Sequence, residues 1–300
     1  MTELADAKAV SLNVSRRPGL RGVGSLTLFM RKKPLAAAGA VTLLALTAIA
    51  VLAPLVATHD PYTFAAADRL EGPTLEHLFG TDEFGRDLFS RVVYGARVSL
   101  KVGFIAVLFS TVVGSAVGVA SGYIGGWFDT IVQRMVDMLM AFPTIVLALA
   151  IVAARGQDVS NVIIALAVVQ TPGLIRVVRS NVLTLKERPF IEAGRVIGAS
   201  PSRIMLVHLL PNVAPSIIVL ATAGLGGAIL TEATLSFLGL GTPPPQPSWG
   251  GMLSSSARRF ATQAPWLVIF PGVALSLAIY SFNLLGDGLR DVLDPRMRGR

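Results

Sequence analysis

The chain has no cysteine among its 300 residues and only three histidines, His59, His77 and His208. A disulfide framework, a thiolate metal site and a cysteine nucleophile are therefore excluded. No two histidines stand within four residues of each other, so a His-Glu-x-x-His zinc motif is excluded as well. Charge is also scarce: 15% of residues carry it, against about 25% in an ordinary soluble domain. With 53% hydrophobic residues, a soluble globule of this composition would leave large apolar patches in water. The same balance excludes intrinsic disorder for the chain as a whole. Basic residues outnumber acidic ones by 26 to 18, a net charge of +8. Their placement between long apolar runs reads as membrane topology, not as a nucleic-acid footprint.

Crossing about 30 Å of hydrocarbon takes about 20 mostly apolar residues, because lipid offers free backbone amides no partner. Uncharged runs cover 35–57, 102–128, 138–154, 159–175, 204–231 and 261–286. The expected class is an all-α membrane protein with six transmembrane helices. The third span is expected to begin a turn or two before Met138, with Asp129, Arg134 and Asp137 at its start. Lysine and arginine set the orientation. A tail, 1–34, a long fourth connection and a C-terminal segment, 289–300, carry 17 of the 26 basic residues. In the loop at 58–97 four arginines face seven acidic residues. Both termini are therefore expected in the cytoplasm. Residues 20–33 read either as a helix lying on the membrane surface or as an unstructured basic tail, and 1–15 as disordered.

The fourth connection is too large to be a turn. Phe190, Ala193 and Ile197 recur at helical spacing with Val196 beside them, Gly198 interrupts the pattern, and Ser200-Pro201 supplies an N-cap followed by proline at the first helical position. The reading is helix, sharp turn, helix. Small side chains at Ala193, Gly194, Gly198, Ala199 and Ser200 allow another surface to come close to the backbone.

These residues also carry a resemblance. Glu192-Ala193-Gly194, three residues, Gly198, nine residues and His208-Leu209-Leu210-Pro211 resemble the cytoplasmic motif of the membrane subunits of bacterial ABC importers, Glu-Ala-Ala, Gly, Ile-x-Leu-Pro. Gly194 and His208 depart from that pattern. The His-x-Leu-Pro-Asn ending, completed by Asn212, is similar to that of the branch importing peptides and nickel. Leu78-Phe-Gly-Thr-Asp-Glu-Phe-Gly-Arg-Asp87, Glu232-Ala-Thr-Leu-Ser-Phe-Leu-Gly-Leu-Gly241 and Leu293-Asp-Pro-Arg296 look like the same branch, and the loop after the first span looks like its C-type subunit.

The resemblance implies the type I importer permease fold, with a core over 98–288 and cytoplasmic coupling helices within 186–208, in the bacterial cytoplasmic (inner) membrane. It implies a second permease subunit as heterodimer partner, two ATP-binding subunits and an extracytoplasmic solute-binding protein. ATP and Mg would be bound by the partners, because no lysine here follows a glycine as a phosphate cradle requires. No cofactor, metal or nucleic acid is assigned to this chain, and no catalytic residue. Glu192, Ala193, Gly194, Gly198, Ala199, Ser200, His208, Leu210 and Pro211 are the implied ATPase-coupling residues, with Pro211 setting the angle at which the elbow feeds the fifth span.

Charges at span depth invite a functional reading. Arg134 and Asp137, three apart on one helix face, are expected to form a structural or gating ion pair. Glu232 reads as a gate or packing residue, or as one on the pathway. Gly114 and Gly118 form a Gly-x-x-x-Gly stripe against a neighbour that the sequence does not name. The proline-rich stretch 242–249 is expected to be a stiff external loop, and Trp249 an interfacial anchor or a cap on the outer mouth. A self-sufficient secondary transporter or channel is the alternative function; it would be expected to show internal repeats with charges at midplane.

Overall fold

The computed structural model describes residues 33–293. All but the last residue of the surface helix expected within 20–33, the disorder expected over 1–15, the basic residues of the tail before Lys33 and the Asp294-Pro295-Arg296 part of the C-terminal motif lie outside them. The described residues are mainly helical, without a named strand: α1 (Pro34–Val51), α2 (Ala53–Val56), α3 (Leu88–Ile124), α4 (Gly126–Met140), α5 (Thr144–Arg155), α6 (Val159–Leu185), α7 (Pro189–Val196), α8 (Pro201–Arg203), α9 (Leu210–Phe237), α10 (Trp249–Met252), α11 (Ser255–Phe260) and α12 (Trp266–Leu293). A π-helical segment, Ile204–Leu209, joins α8 to α9. Five helical stretches are long and apolar enough to cross a bilayer, and the pair α4 and α5, bent by 90°, makes a sixth if counted as one span.

That bent pair corrects the expected third span. The backbone leaves the helix at Ala141 and re-enters it after Pro143, because a proline disfavours helical geometry in the residue before it. With 12 residues, α5 reaches only about 18 Å and cannot cross alone.

The second span is corrected too. Its helix begins at Leu88, well before Val102, and its 37 residues extend about 55 Å, well beyond the hydrocarbon thickness. Asp87 starts it: one side-chain oxygen accepts the Ser90 N–H at 2.8 Å, satisfying an orphan donor of the first turn. Uncharged runs do not mark this start because Arg91, Arg97 and Lys101 interrupt the apolar pattern. Similarly, α6 runs past Ile175 to Leu185 and α12 past Gly286 to Leu293.

Helix α3 runs through three apolar clusters. Near its start, Leu88, Val92 and Ala96 pack with Trp249, Ile229 and Leu267. At its middle, Val102 and Ala106 meet Val152, Val162 and Leu166. At its end, Val119 joins Val178, Val182, Ile191, Ile204 and Leu209. The Gly-x-x-x-Gly stripe finds its neighbour within this chain. A Cβ on Gly114 would lie 2.6 Å from Leu174, one on Gly118 2.9 Å from the Ile175 carbonyl, and one on Gly122 2.9 Å from Val182. Helices α3 and α6 thus approach at a distance only glycine allows.

Trp249 neither anchors at an interface nor caps a mouth. It is 1% exposed, and its indole N–H donates to the Val92 carbonyl at 3.0 Å. The proline-rich segment ahead of it is non-helical as expected, but it serves to turn α10 back into the bundle.

Candidate functional site

The elbow begins where α6 ends. After Lys186 a short turn brings the chain to Pro189 at the first helical position of α7, where its missing N–H costs nothing. One face of α7 is buried: Ile191 is fully enclosed and Gly194 lies under the same cover. Burying an isoleucine contributes about 1.5–3 kcal/mol, so this one side chain fastens the short helix to the third cluster, whose other members come from α3, α6, the π-helical segment and α9. The Arg195 guanidinium adds a second attachment, 5.5 Å from the centre of the Tyr123 ring at the end of α3.

The turn closes as a Schellman motif. The Ala199 N–H donates to the Gly194 carbonyl and the Gly198 N–H to the Arg195 carbonyl, both at 3.0 Å. The left-handed position between these two bonds belongs to Gly198, with φ +79°. A further Cβ there would meet nothing within 4 Å, so backbone conformation, not space, demands glycine. Ser200 then caps the next helix by accepting the Arg203 N–H, with Pro201 behind it.

The face turned away from the bundle is apolar. Val196 and Ile197 are 82% and 83% exposed, and Phe190 43%. Glu192 and Ala193 are exposed beside them, as are Arg188, Arg195 and Gly198. The helical stripe read from the sequence is real, but it points outward; the buried residues are the ones between its members. Ala199 is half-buried against the third cluster. His208 and Leu210 are half-buried and Pro211 exposed.

Pro211 does not break the helix it enters. The Leu210 N–H bonds back to the Met205 carbonyl, one residue further than in an α-helix, and the widened turn accommodates a residue that lacks an N–H and crowds the preceding turn. The Asn212 side-chain amide donates to the His208 carbonyl at 2.6 Å. The elbow therefore continues into α9 through a π-turn.

At the other end of α9, Glu232 is wholly buried. Its carboxyl accepts from Ser99 of α3 at 3.2 Å and from Ser236 at 2.8 Å. Ser248 reaches the Ser236 hydroxyl at 3.4 Å, and the Trp249 N–H reaches Ser99 at the same distance. This web of hydroxyls joins α3, α9 and the loop before α10.

A family model described as "Binding-protein-dependent transport system inner membrane component" matches residues 114–299, which include the elbow, Glu232 and α12. The chain belongs to this family. A second model, the N-terminal TM domain of oligopeptide transport permease C, matches residues 29–73. Among curated relatives, the dipeptide transport system permease protein DppC of Alkalihalophilus pseudofirmus is 47% identical over 90% of this chain and 88% of its own. A putative peptide transport system permease protein of Brucella suis is 44% identical over 99% of both chains. The glutathione transport system permease protein GsiD of Escherichia coli is 45% identical over 90% and 89%. The chain is thus a multi-pass permease subunit of an ABC importer, of a family that is not catalytic.

Within this permease the expected pair of Arg134 and Asp137 is not made. Both are exposed on α4, and Asp137 turns to Arg176 of α6 at 2.5 Å. Spacing along one helix could not reveal a partner 39 residues away. The side chains of this pair are 47% and 58% exposed, and it has one bond where Asp129 has three; replacing Asp137 by alanine is expected to change stability by no more than about 1 kcal/mol, read from the thermal unfolding of purified protein. The stronger link, unforeseen from sequence, is Asp129. It holds the Arg179 guanidinium in two bonds of 2.5–2.6 Å and also accepts from Ser121, joining α3, α4 and α6. An acidic residue in the first turn of α4 and an arginine inside the apolar α6 were its only sequence signals.

Proposed function

We propose that the α7 elbow is the docking element through which a separate ATP-binding subunit drives this permease. The observation that carries the reading is the outward apolar tip of Phe190, Val196 and Ile197, on a helix whose opposite face is rooted among α3, α6 and α9. An exposed apolar surface of this kind suits a cleft on another protein, while Glu192, Arg188 and Arg195 around it supply charge for register. Ala193 and Gly198 keep the approach close, and the Ser200 cap and the π-turn before Pro211 pass a displacement of the tip into α9. In this reading the elbow and both termini are cytoplasmic, the Trp249 end faces outward in the bacterial inner membrane, and ATP and Mg belong to the partner ATPases. A second permease subunit completes the pathway and a solute-binding protein delivers to it. The cargo class is short peptides, on the strength of relatives named for dipeptide, peptide and glutathione transport.

The absence of native cysteine makes the test unambiguous. A Val196→Cys variant in the assembled importer is expected to crosslink to a cysteine-bearing ATP-binding subunit and to react with thiol reagents only from the cytoplasmic side. Labelling from the outside alone, or no capture of the ATPase, would overturn the reading.

A further inference from the structure

The loop between α2 and α3 brings together two histidines that stand 18 residues apart in sequence. The rings of His59 and His77 have centroids 4.7 Å apart, tilted by 37°. Glu76 joins them, and one donor atom from each of the three residues lies within 4.8 Å of the others. This is the single such group of histidine and acidic side chains among the described residues.

What surrounds the group is as specific as the group itself. His77 is buried, and its Nδ1 lies 2.9 Å from an Asp87 carboxyl oxygen. The other Asp87 oxygen caps α3 through the Ser90 N–H, so this carboxylate is fixed and fixes the ring in turn. With Nδ1 engaged, Nε2 is the nitrogen left to bind. A carboxylate behind a histidine sets tautomer and ring orientation in this way for metal-binding imidazoles. The backbone of His59 is secured independently: its N–H donates to the Ser90 hydroxyl at 3.0 Å. Its Nδ1 lies 3.1 Å from the Thr58 hydroxyl and 3.8 Å from Asp87, so Nε2 is again the nitrogen left for an ion.

We propose that His59, Glu76 and His77 form a site for a divalent transition ion of the zinc class, with Asp87 orienting His77 from behind. Two imidazoles and a carboxylate suit zinc, cobalt or nickel better than magnesium or calcium, which take oxygen donors. Bonds of about 2.0–2.2 Å place tetrahedral ligands about 3.3–3.6 Å apart, closer than the present upper bound. The exposed Glu76 and half-buried His59 close that gap by side-chain rotation, while His77 stays in place. Three protein ligands leave a fourth position for water or an incoming donor. Bound there, the ion clips the segment leaving the first span to the loop preceding α3. This inference does not depend on the docking role of α7, which lies at the opposite end of α3.

The test uses the full-length chain in detergent, purified without a polyhistidine tag, and Co²⁺ as a spectroscopic probe displaced by Zn²⁺. The expected result is one ion per chain, with the intense visible bands of low-coordinate cobalt. His59→Ala should weaken binding by at least about tenfold, and His59→Ala combined with Glu76→Gln should remove the bands. Neither position is in a core, so unchanged size-exclusion and unfolding profiles of the metal-free variants will show that they fold. Zn²⁺ should also raise the melting temperature of the wild type but not of the double variant. Undiminished binding by the double variant, or no saturable binding by the wild type at micromolar Co²⁺, would overturn the proposal.

Discussion

Replacing Gly198 by valine is expected to lower ATP-driven uptake by at least about tenfold while leaving the amount of chain in the membrane unchanged. The left-handed conformation costs an ordinary L-residue about 1–2 kcal/mol, and a β-branched one is a true outlier there. Nothing within 4 Å opposes the new side chain, so the strain is local. It is small beside a whole-protein stability of about 5–15 kcal/mol. It is large, however, against the two capping bonds at 3.0 Å that form the turn. The turn will yield before the fold does, and Val196 and Ile197 will leave their place. Asparagine tolerates this backbone better than other residues, so Gly198→Asn should retain much of the uptake. Normal transport by the valine variant would mean that the shape of the elbow is not what couples.

Gly250→Val is expected to have the opposite profile, failing at folding and not at coupling. A Cβ on Gly250 would lie 2.4 Å from the Ala233 Cα and 2.5 Å from its carbonyl oxygen. Both are backbone atoms of α9, and neither can move without disturbing the helix that carries Glu232. Overpacking costs about 1–3 kcal/mol when side chains can adapt; against a helix backbone the upper end of that range or more applies. Relief would require α10 to withdraw, exposing Trp249 and parting the contacts among Ser99, Ser236 and Ser248. Membrane levels of the variant should fall severalfold, and what remains should unfold at lower temperature. Wild-type abundance and melting would show that α10 is loosely held.

The two glycines illustrate what the sequence made legible. Around Gly198 the information is local: a break in helical spacing, then Ser200-Pro201, and the helix, turn and helix follow. Long apolar runs located the membrane helices for the same reason, since each run needs no knowledge of its neighbours. Gly250 was unreadable because its constraint comes from Ala233, which meets it only after the chain folds back. Distance in sequence likewise hid the partnership of Asp129 with Arg179, of Asp137 with Arg176 and of Glu232 with Ser99. Helix starts were missed where charges sit on the first turns, as at Arg91. The 90° bend at Pro143 was concealed by a hydropathy pattern that is the same for a straight helix and a broken one. The direction of the Phe190 and Ile197 stripe needed the structure as well, because spacing shows that residues share a face but not which way that face looks.

The glycine-lined contact of α3 with α6 has a mechanical corollary. Sliding either helix past the other would drive Leu174 or Val178 out of a glycine gap and into a Cβ-bearing position, so shear between them is blocked and the two form a single strut. Asp129 bolts the start of α4 to that strut through Arg179. Past the break at 141–143 the chain returns to the same brace, because Ala148 and Val152 of α5 are fully buried against Val102 of α3 and Val162 of α6, so both arms of the bent pair are carried by one beam.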